Sequence, residues 1–185
     1  MKKLLLIGIL AAVACSGPMD STPEPVWVEK VLLDEDFTGI GFFNLPEGWT
    51  KDEVNPPNDK IRILTEGDNY YVEMSAWERC VLRTPNFGEV VRGDKIRIEC
   101  RYIYPNVPYT NSEVSIYMPM NSGVFLEHTK TWTAFSTTFL VPSSVGPNEF
   151  RLKHCEFSLD NNLLPREIGP IVCVDDVIVT RIYQK

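Results

Sequence analysis

The chain reads as an all-β protein, a sandwich or a barrel, on three observations. Short apolar segments recur at near-regular spacing, Gly, Pro, Asn and Asp punctuate them, and the clearest segments alternate apolar and charged residues with period two. No helical period longer than a turn or two follows Cys15, the nearest being Leu163 to Glu167. About ten such segments in succession, without helical stretches between them, favour stacked antiparallel sheets over an α/β fold.

Taken in order, Val26 to Phe37 is the first strand, followed by a turn at Gly39 to Gly41 and a loop carrying Pro46-Glu47-Gly48-Trp49. Lys51 to Asp59 holds Asn55-Pro56-Pro57-Asn58 and is expected to form no regular element. Ile61 to Leu64 and Tyr70 to Met74 form a pair across the Glu66-Gly67-Asp68-Asn69 turn, and Cys80 to Arg83 is a short strand stopped at Thr84-Pro85. In Lys95 to Tyr104 the residues Ile96, Ile98, Cys100, Tyr102 and Tyr104 share one face, while Lys95, Arg97, Glu99 and Arg101 share the other. One face of that strand is therefore in the core and the other is wet. Val114, Ile116 and Met118 repeat the pattern against Glu113, Ser115 and Tyr117. Further strands are expected at Val124 to Leu126, Phe135 to Val141, Glu149 to Phe157 and Ile171 to Tyr183.

The beginning of the chain says where the protein goes. Lys2 and Lys3, an apolar run from Leu4 to Val13 and the small residues Ala12-Val13-Ala14 make a secretory signal peptide. A run of about ten residues falls short of the ~20 that a membrane-crossing helix needs. Ala12-Val13-Ala14-Cys15 resembles the lipobox of bacterial lipoproteins, which implies cleavage after residue 14, lipidation of Cys15 and attachment to the membrane through that lipid alone. Ser16 is not the aspartate that resembles an inner-membrane retention signal, so the expected address is the bacterial outer membrane or cell surface. Residues 15–25, rich in Pro, Ser and acidic side chains, are a flexible tether, and residues 26–185 form one domain.

The whole chain of 185 residues has a formal charge of −7, and the signal peptide removes two lysines and no acidic residue. A surface of that sign repels nucleic acid, which is excluded as a partner. Four cysteines follow Cys15: Cys80, Cys100, Cys155 and Cys173. In an exported chain these either pair as two disulfides, in one of three connectivities, or remain as buried thiols.

Two segments carry a family resemblance. Leu33 to Thr50 has an acidic cluster before Phe37, then glycines, then Leu-Pro-Glu-Gly-Trp-Thr. Thr131 to Arg181 runs Trp132-Thr-Ala-Phe135, Phe139-Leu-Val141-Pro142, Phe150-Arg-Leu152 and closes with Val172-Cys-Val-Asp175-Asp176-Val177-Ile-Val179. This is similar to the jelly-roll, galactose-binding-like modules found as carbohydrate-binding modules and accessory domains of secreted bacterial proteins. The resemblance implies a jelly-roll β-sandwich of two antiparallel sheets, with the first and last strands side by side and Phe135, Thr137, Phe139 and Val141 facing inward. It also implies that Asp34, Glu35 and Asp36 come near Asp175 and Asp176, with a structural calcium held by Asp36 and Asp176. Thr38 stands where the family commonly has Glu, and acidic residues that only cap strand ends in water are the alternative.

Sugar recognition combines aromatic faces with polar groups at the ring edge. Trp77, in the loop Ser75-Ala76-Trp77-Glu78-Arg79, is either a sugar platform or a lid over the core edge. Tyr104, Tyr109 and Tyr117, with Asn106 and Asn111, surround a second loop rich in Tyr and Asn. Trp49 and Trp132 are assigned structural roles, Trp132 as a cap on one end of the sandwich. Only His128 and His154 are available for acid–base work, and no nucleophile elbow, zincin motif or phosphate loop occurs. The expected function is a non-catalytic glycan-binding or accessory envelope lipoprotein. The alternatives are a lipoprotein that contacts another envelope protein in adhesion or assembly, and a small glycoside hydrolase or lyase.

Overall fold

The computed structural model describes residues 24–42, 44–56, 58–88, 90–106, 112–117, 123–142, 154–161 and 170–185. The expected signal peptide, Cys15, most of the tether, Tyr109 and Asn111 lie outside them. Eleven strands are present: β1 (Trp27–Glu35), β2 (Thr50–Glu53), β3 (Lys60–Glu66), β4 (Asn69–Ser75), β5 (Arg79–Arg83), β6 (Lys95–Asn106), β7 (Ser112–Tyr117), β8 (Val124–Phe125), β9 (Thr133–Leu140), β10 (Glu156–Asn161) and β11 (Ile171–Gln184). No helix occurs among the described residues.

They form two antiparallel sheets, the arrangement expected of a jelly-roll sandwich. One sheet runs β3-β4-β11-β6-β9 with β1 also on β11, and the other runs β2-β5-β10-β7-β8. The long last strand has β6 along one edge, while β4 and β1 divide the other edge between them. β4 takes Ile171 to Val174, and β1 takes Val177 to Gln184. The first and last strands thus pair as expected, with Glu35 opposite Val177. Where one neighbour gives way to the other, β11 bulges: Asp175 is opposite Arg101 and Ile178 is opposite Glu99, so Asp176 and Val177 share the single residue Cys100.

The core lies between the sheets. Ile96, Ile98, Cys100, Tyr102 and Tyr104, the predicted inward row of β6, are all buried, and they join a cluster with Leu82, Ile116, Phe157 and Leu159 of the second sheet. Phe139 and Val141 are buried from the predicted inward row of β9, and Phe135 packs on the same cluster. Each such side chain contributes about 1.5–3 kcal/mol when fully buried. Trp49 meets the buried Phe37 edge-on at 5.3 Å between ring centroids. The loop before it needs its glycine: Gly48 has φ +81°, and Pro85 Cβ stands 3.1 Å from where a side chain would begin.

Two expectations are corrected, and the open question of the cysteines is settled. Lys51 to Glu53 is not irregular but belongs to β2, because its backbone pairs with Leu82 to Cys80 of β5 and the turn residues take effect only from residue 54. Of the strand expected at Glu149 to Phe157, residues 149–153 lie outside the described residues, and the last two belong to β10, which continues to Asn161 with β5 and β7 on its two sides. All four cysteines of the domain are buried free thiols. Burial pushes the thiols of Cys80 and Cys100 far up and those of Cys155 and Cys173 to about 12, so none is a thiolate at neutral pH.

Candidate functional site

The bulge in β11 organises the outward face of the six-stranded sheet. Asp176 adopts φ +50°, a conformation that non-glycine residues rarely take. Its carboxylate accepts a hydrogen bond from Arg101 Nη1 at 3.1 Å, and Asp175 Oδ2 stands 3.9 Å from the same nitrogen. Asp175 is 1 % exposed and accepts from the Asp176 amide at 2.8 Å. Burial raises its pKa, the Asp176 amide and the Asn69 side chain opposing that rise with hydrogen bonds.

Trp132 covers this charged centre. Its ring lies 5.3 Å from the Arg101 guanidinium carbon and meets the Tyr71 ring edge-on at 5.6 Å, with 69° between the planes. Both aromatic residues are half-buried. Beside Arg101 the face opens into a cavity of about 310 Å³ whose lining includes Glu99, Ala134, Ser136, Asp176 and Ile178. On the other flank Arg62 pairs with Glu73 at 2.6 Å and stacks at 5.6 Å over Phe42, which is exposed. Aromatic faces, a guanidinium and carboxylates held at fixed positions on strands can stack on an apolar sugar face and hydrogen-bond the hydroxyls around it. The neighbouring Arg97 is already engaged, by both oxygens of Glu29 at 3.0 and 2.9 Å and by Glu99 at 3.0 Å.

Comparison with known proteins bears on the fold. No protein-family model and no curated protein sequence matches the chain. Solved structures do. The CBM22-1 xylan-binding domain of Paenibacillus barcinonensis Xyn10C superposes with TM-score 0.52 at 8% identity, over 82% of this chain and 94% of that one. The K3 cleaved adhesin domain of Lys-gingipain from Porphyromonas gingivalis superposes with TM-score 0.51 at 13% identity, over 82% and 99%. The CBM22-1–GH10 modules of Clostridium thermocellum xylanase 10B give TM-score 0.50 at 12% identity, over 82% of this chain and only 28% of that longer one. The shared feature is the jelly-roll fold.

The residues singled out from sequence fall in different places. Trp77 is half-buried, and its loop is held by Asp59, whose carboxylate accepts from the amides of Trp77, Glu78 and Arg79 at 2.5, 2.8 and 3.3 Å. Asn161 donates to the Trp77 carbonyl at 3.1 Å. Asn106, opposite Ile171, is at the same end of the sandwich, since Ser75 is also opposite Ile171. Tyr104 cannot line a rim. It is 0 % exposed, with its ring 4.8 Å from His128, because it continues the inward row of β6. Tyr117 is opposite Glu156 while Ser112 is opposite Asn161, so it lies at the far end of β7, about 17 Å along the strand from the Trp77 loop.

The register of the first and last strands ends at Glu35 opposite Val177, and the Asp36 and Asp176 carboxylates have separate partners. Asp36 caps the Thr38 amide at 2.9 Å, and Asp176 pairs with Arg101. Calcium takes 6 to 8 oxygens, and among the described residues no group of three or more His, Cys, Asp or Glu side chains is placed to hold a metal ion. From sequence Trp132 takes a structural role as a cap, and Tyr71 is not singled out. The signal was parity: Trp132 shares the even positions of Ala134, Ser136 and Thr138, the wet face of β9, not the inward odd row.

Proposed function

We propose that this protein is a non-catalytic glycan-binding module and that the outward face of its six-stranded sheet is the binding surface. The observation that carries this reading is Trp132 with Tyr71 at its edge, Arg101 beneath its ring and Asp176 anchoring Arg101. A sugar ring stacks against the aromatic pair, and Arg101, Asp176, Glu99 and Ser136 supply donors and acceptors to its hydroxyls. The fold likeness to a xylan-binding domain supports the class of ligand. Lipidation of Cys15 and an outer-membrane or surface address belong to the same proposal, as a means of holding the module at the envelope. Trp77 with Asn106 is the competing place for the ligand.

A glycan-array screen of the full chain tests this, with wild type beside Trp132→Ala and Trp77→Ala, in calcium and in chelator. The expected result is a specific glycan signal lost in Trp132→Ala and kept in Trp77→Ala. Loss only in Trp77→Ala moves the site to the sandwich end. A blank from folded protein overturns glycan binding and favours the envelope-protein partner. A signal that needs calcium supports the site at Asp36 and Asp176, and one indifferent to chelator removes it.

A further inference from the structure

A second cavity, remote from the Trp132 face, lies where the domain begins. It measures about 250 Å³ and is lined by Trp27, Arg92, Asp94, Arg181, Tyr183 and Gln184, among others. Its most informative residue is Arg181. The inward row of β11 runs Val172, Val174, Val177 and Val179, each 0 % exposed, and the next inward position is Arg181, opposite the fully buried Ile96. An arginine there breaks the apolar pattern of its own strand. It is only 15 % exposed, and Asp94, 5 % exposed, accepts its Nε–H at 2.7 Å. A buried pair of this kind gives little stability over an apolar pair of the same volume, so its use points to a task.

The surroundings define that task. Asp94 also accepts from the Val91 amide at 2.8 Å, and its backbone and that of Gly93 bond to Val141, so the loop that orients Arg181 is fixed at both ends. Asp94 takes Nε, and the guanidinium makes no other hydrogen bond to a described residue, which leaves its terminal nitrogens for a guest. The guanidinium carbon lies 4.4 Å from the centre of the Tyr183 ring. Trp27, 43 % exposed, forms another wall and is held by Lys95 Nζ at 4.5 Å from its ring. A side chain at Gly93 would meet nothing within 4 Å, so the floor there is open. Two aromatic side chains and two arginines, Arg92 and Arg181, line the cavity with the single carboxylate of Asp94.

We propose that this cavity is a second binding site and that it takes a carboxylated sugar residue, a hexuronic acid. The Arg181 guanidinium suits an anion, and a carboxylate matches its planar donors. The aromatic walls call for an apolar ring face, which inorganic phosphate lacks. The volume lies below the ~300 Å³ where drug-sized pockets begin, so the site holds one ring rather than a chain. This goes beyond the reading of the Trp132 face and does not depend on it.

The test is calorimetric titration of the full chain with galacturonate and glucuronate, beside galactose, glucose and inorganic phosphate. A uronate should bind about tenfold more tightly than its neutral counterpart, the worth of one charge-assisted contact, and should weaken with added salt. Trp27→Ala, at an exposed position that leaves the core intact, should weaken uronate binding at least about fivefold, and Trp132→Ala should leave it unchanged. Arg181→Lys should cost a similar factor, and its circular dichroism checks the fold. Equal affinity for neutral sugars, phosphate binding as tight as uronate, or loss in Trp132→Ala but not in Trp27→Ala would each overturn the second site. The last outcome leaves the glycan-binding reading of the Trp132 face standing.

Discussion

The Arg101 guanidinium lies between the Trp132 ring, 5.3 Å from its carbon, and the Asp176 carboxylate, 3.1 Å from its Nη1. One residue thus couples an aromatic platform at the entrance to β9 to a bulge on β11. Replacing Asp176 by Asn removes the charge that holds Arg101 and leaves the platform in place. Glycan affinity should fall about three- to tenfold in Asp176→Asn, and by more in Trp132→Ala, when both are titrated against the array-selected ligand. The far-ultraviolet spectra of both variants should match wild type.

Asp59 is 1 % exposed and receives four backbone amides, from Asn55, Trp77, Glu78 and Arg79. Asp59→Ala leaves those donors without an acceptor. Such a loss should cost about 2–4 kcal/mol, read as a lower urea midpoint at unchanged slope. Asp59→Asn should lie between the two proteins.

Asp175 has a raised pKa because of burial, so folding disfavours its charged form. The protonated side chain is the one the fold accepts, and the stability that goes with it is complete below the unfolded value of 3.8 and is lost as pH rises through the folded value. Asp175→Asn keeps an acceptor for the Asp176 amide without the charge. It should therefore raise the urea midpoint at pH 7, and the difference from wild type should vanish toward pH 3.

The four thiols of the domain are buried and protonated. Iodoacetamide at pH 8 should leave Cys80, Cys100, Cys155 and Cys173 unmodified in the native protein and alkylate all four in guanidinium chloride, as read by peptide mass. Rapid native labelling of any of them would place that thiol at the surface.

Strands with one wet face were legible in the sequence because alternation marks them directly. Lys95 to Tyr104 gave both the strand and its inward row, and the pairing of Val26 to Phe37 with the last strand followed from the resemblance. β2 was hidden because its four residues, Thr50–Glu53, are polar and exposed on an edge, where backbone pairing with β5 alone makes the strand. The platform was hidden for another reason. Trp132 and Tyr71 are far apart in the chain and meet only because β4 and β9 lie on the two sides of β11 and β6. Tyr104 was misplaced because the loop composition around it suggested a rim, although its own parity already put it inside.

The strand that lies in the middle of the larger sheet is the last to be made. β1, β4 and β6 each find their partner in β11, so translation must reach residue 184 before the six-stranded sheet can assemble along its length. Until then the earlier strands are separate pieces with unpaired edges. Closing β1 onto β11 joins residues about 150 positions apart, which makes folding slow for topological reasons.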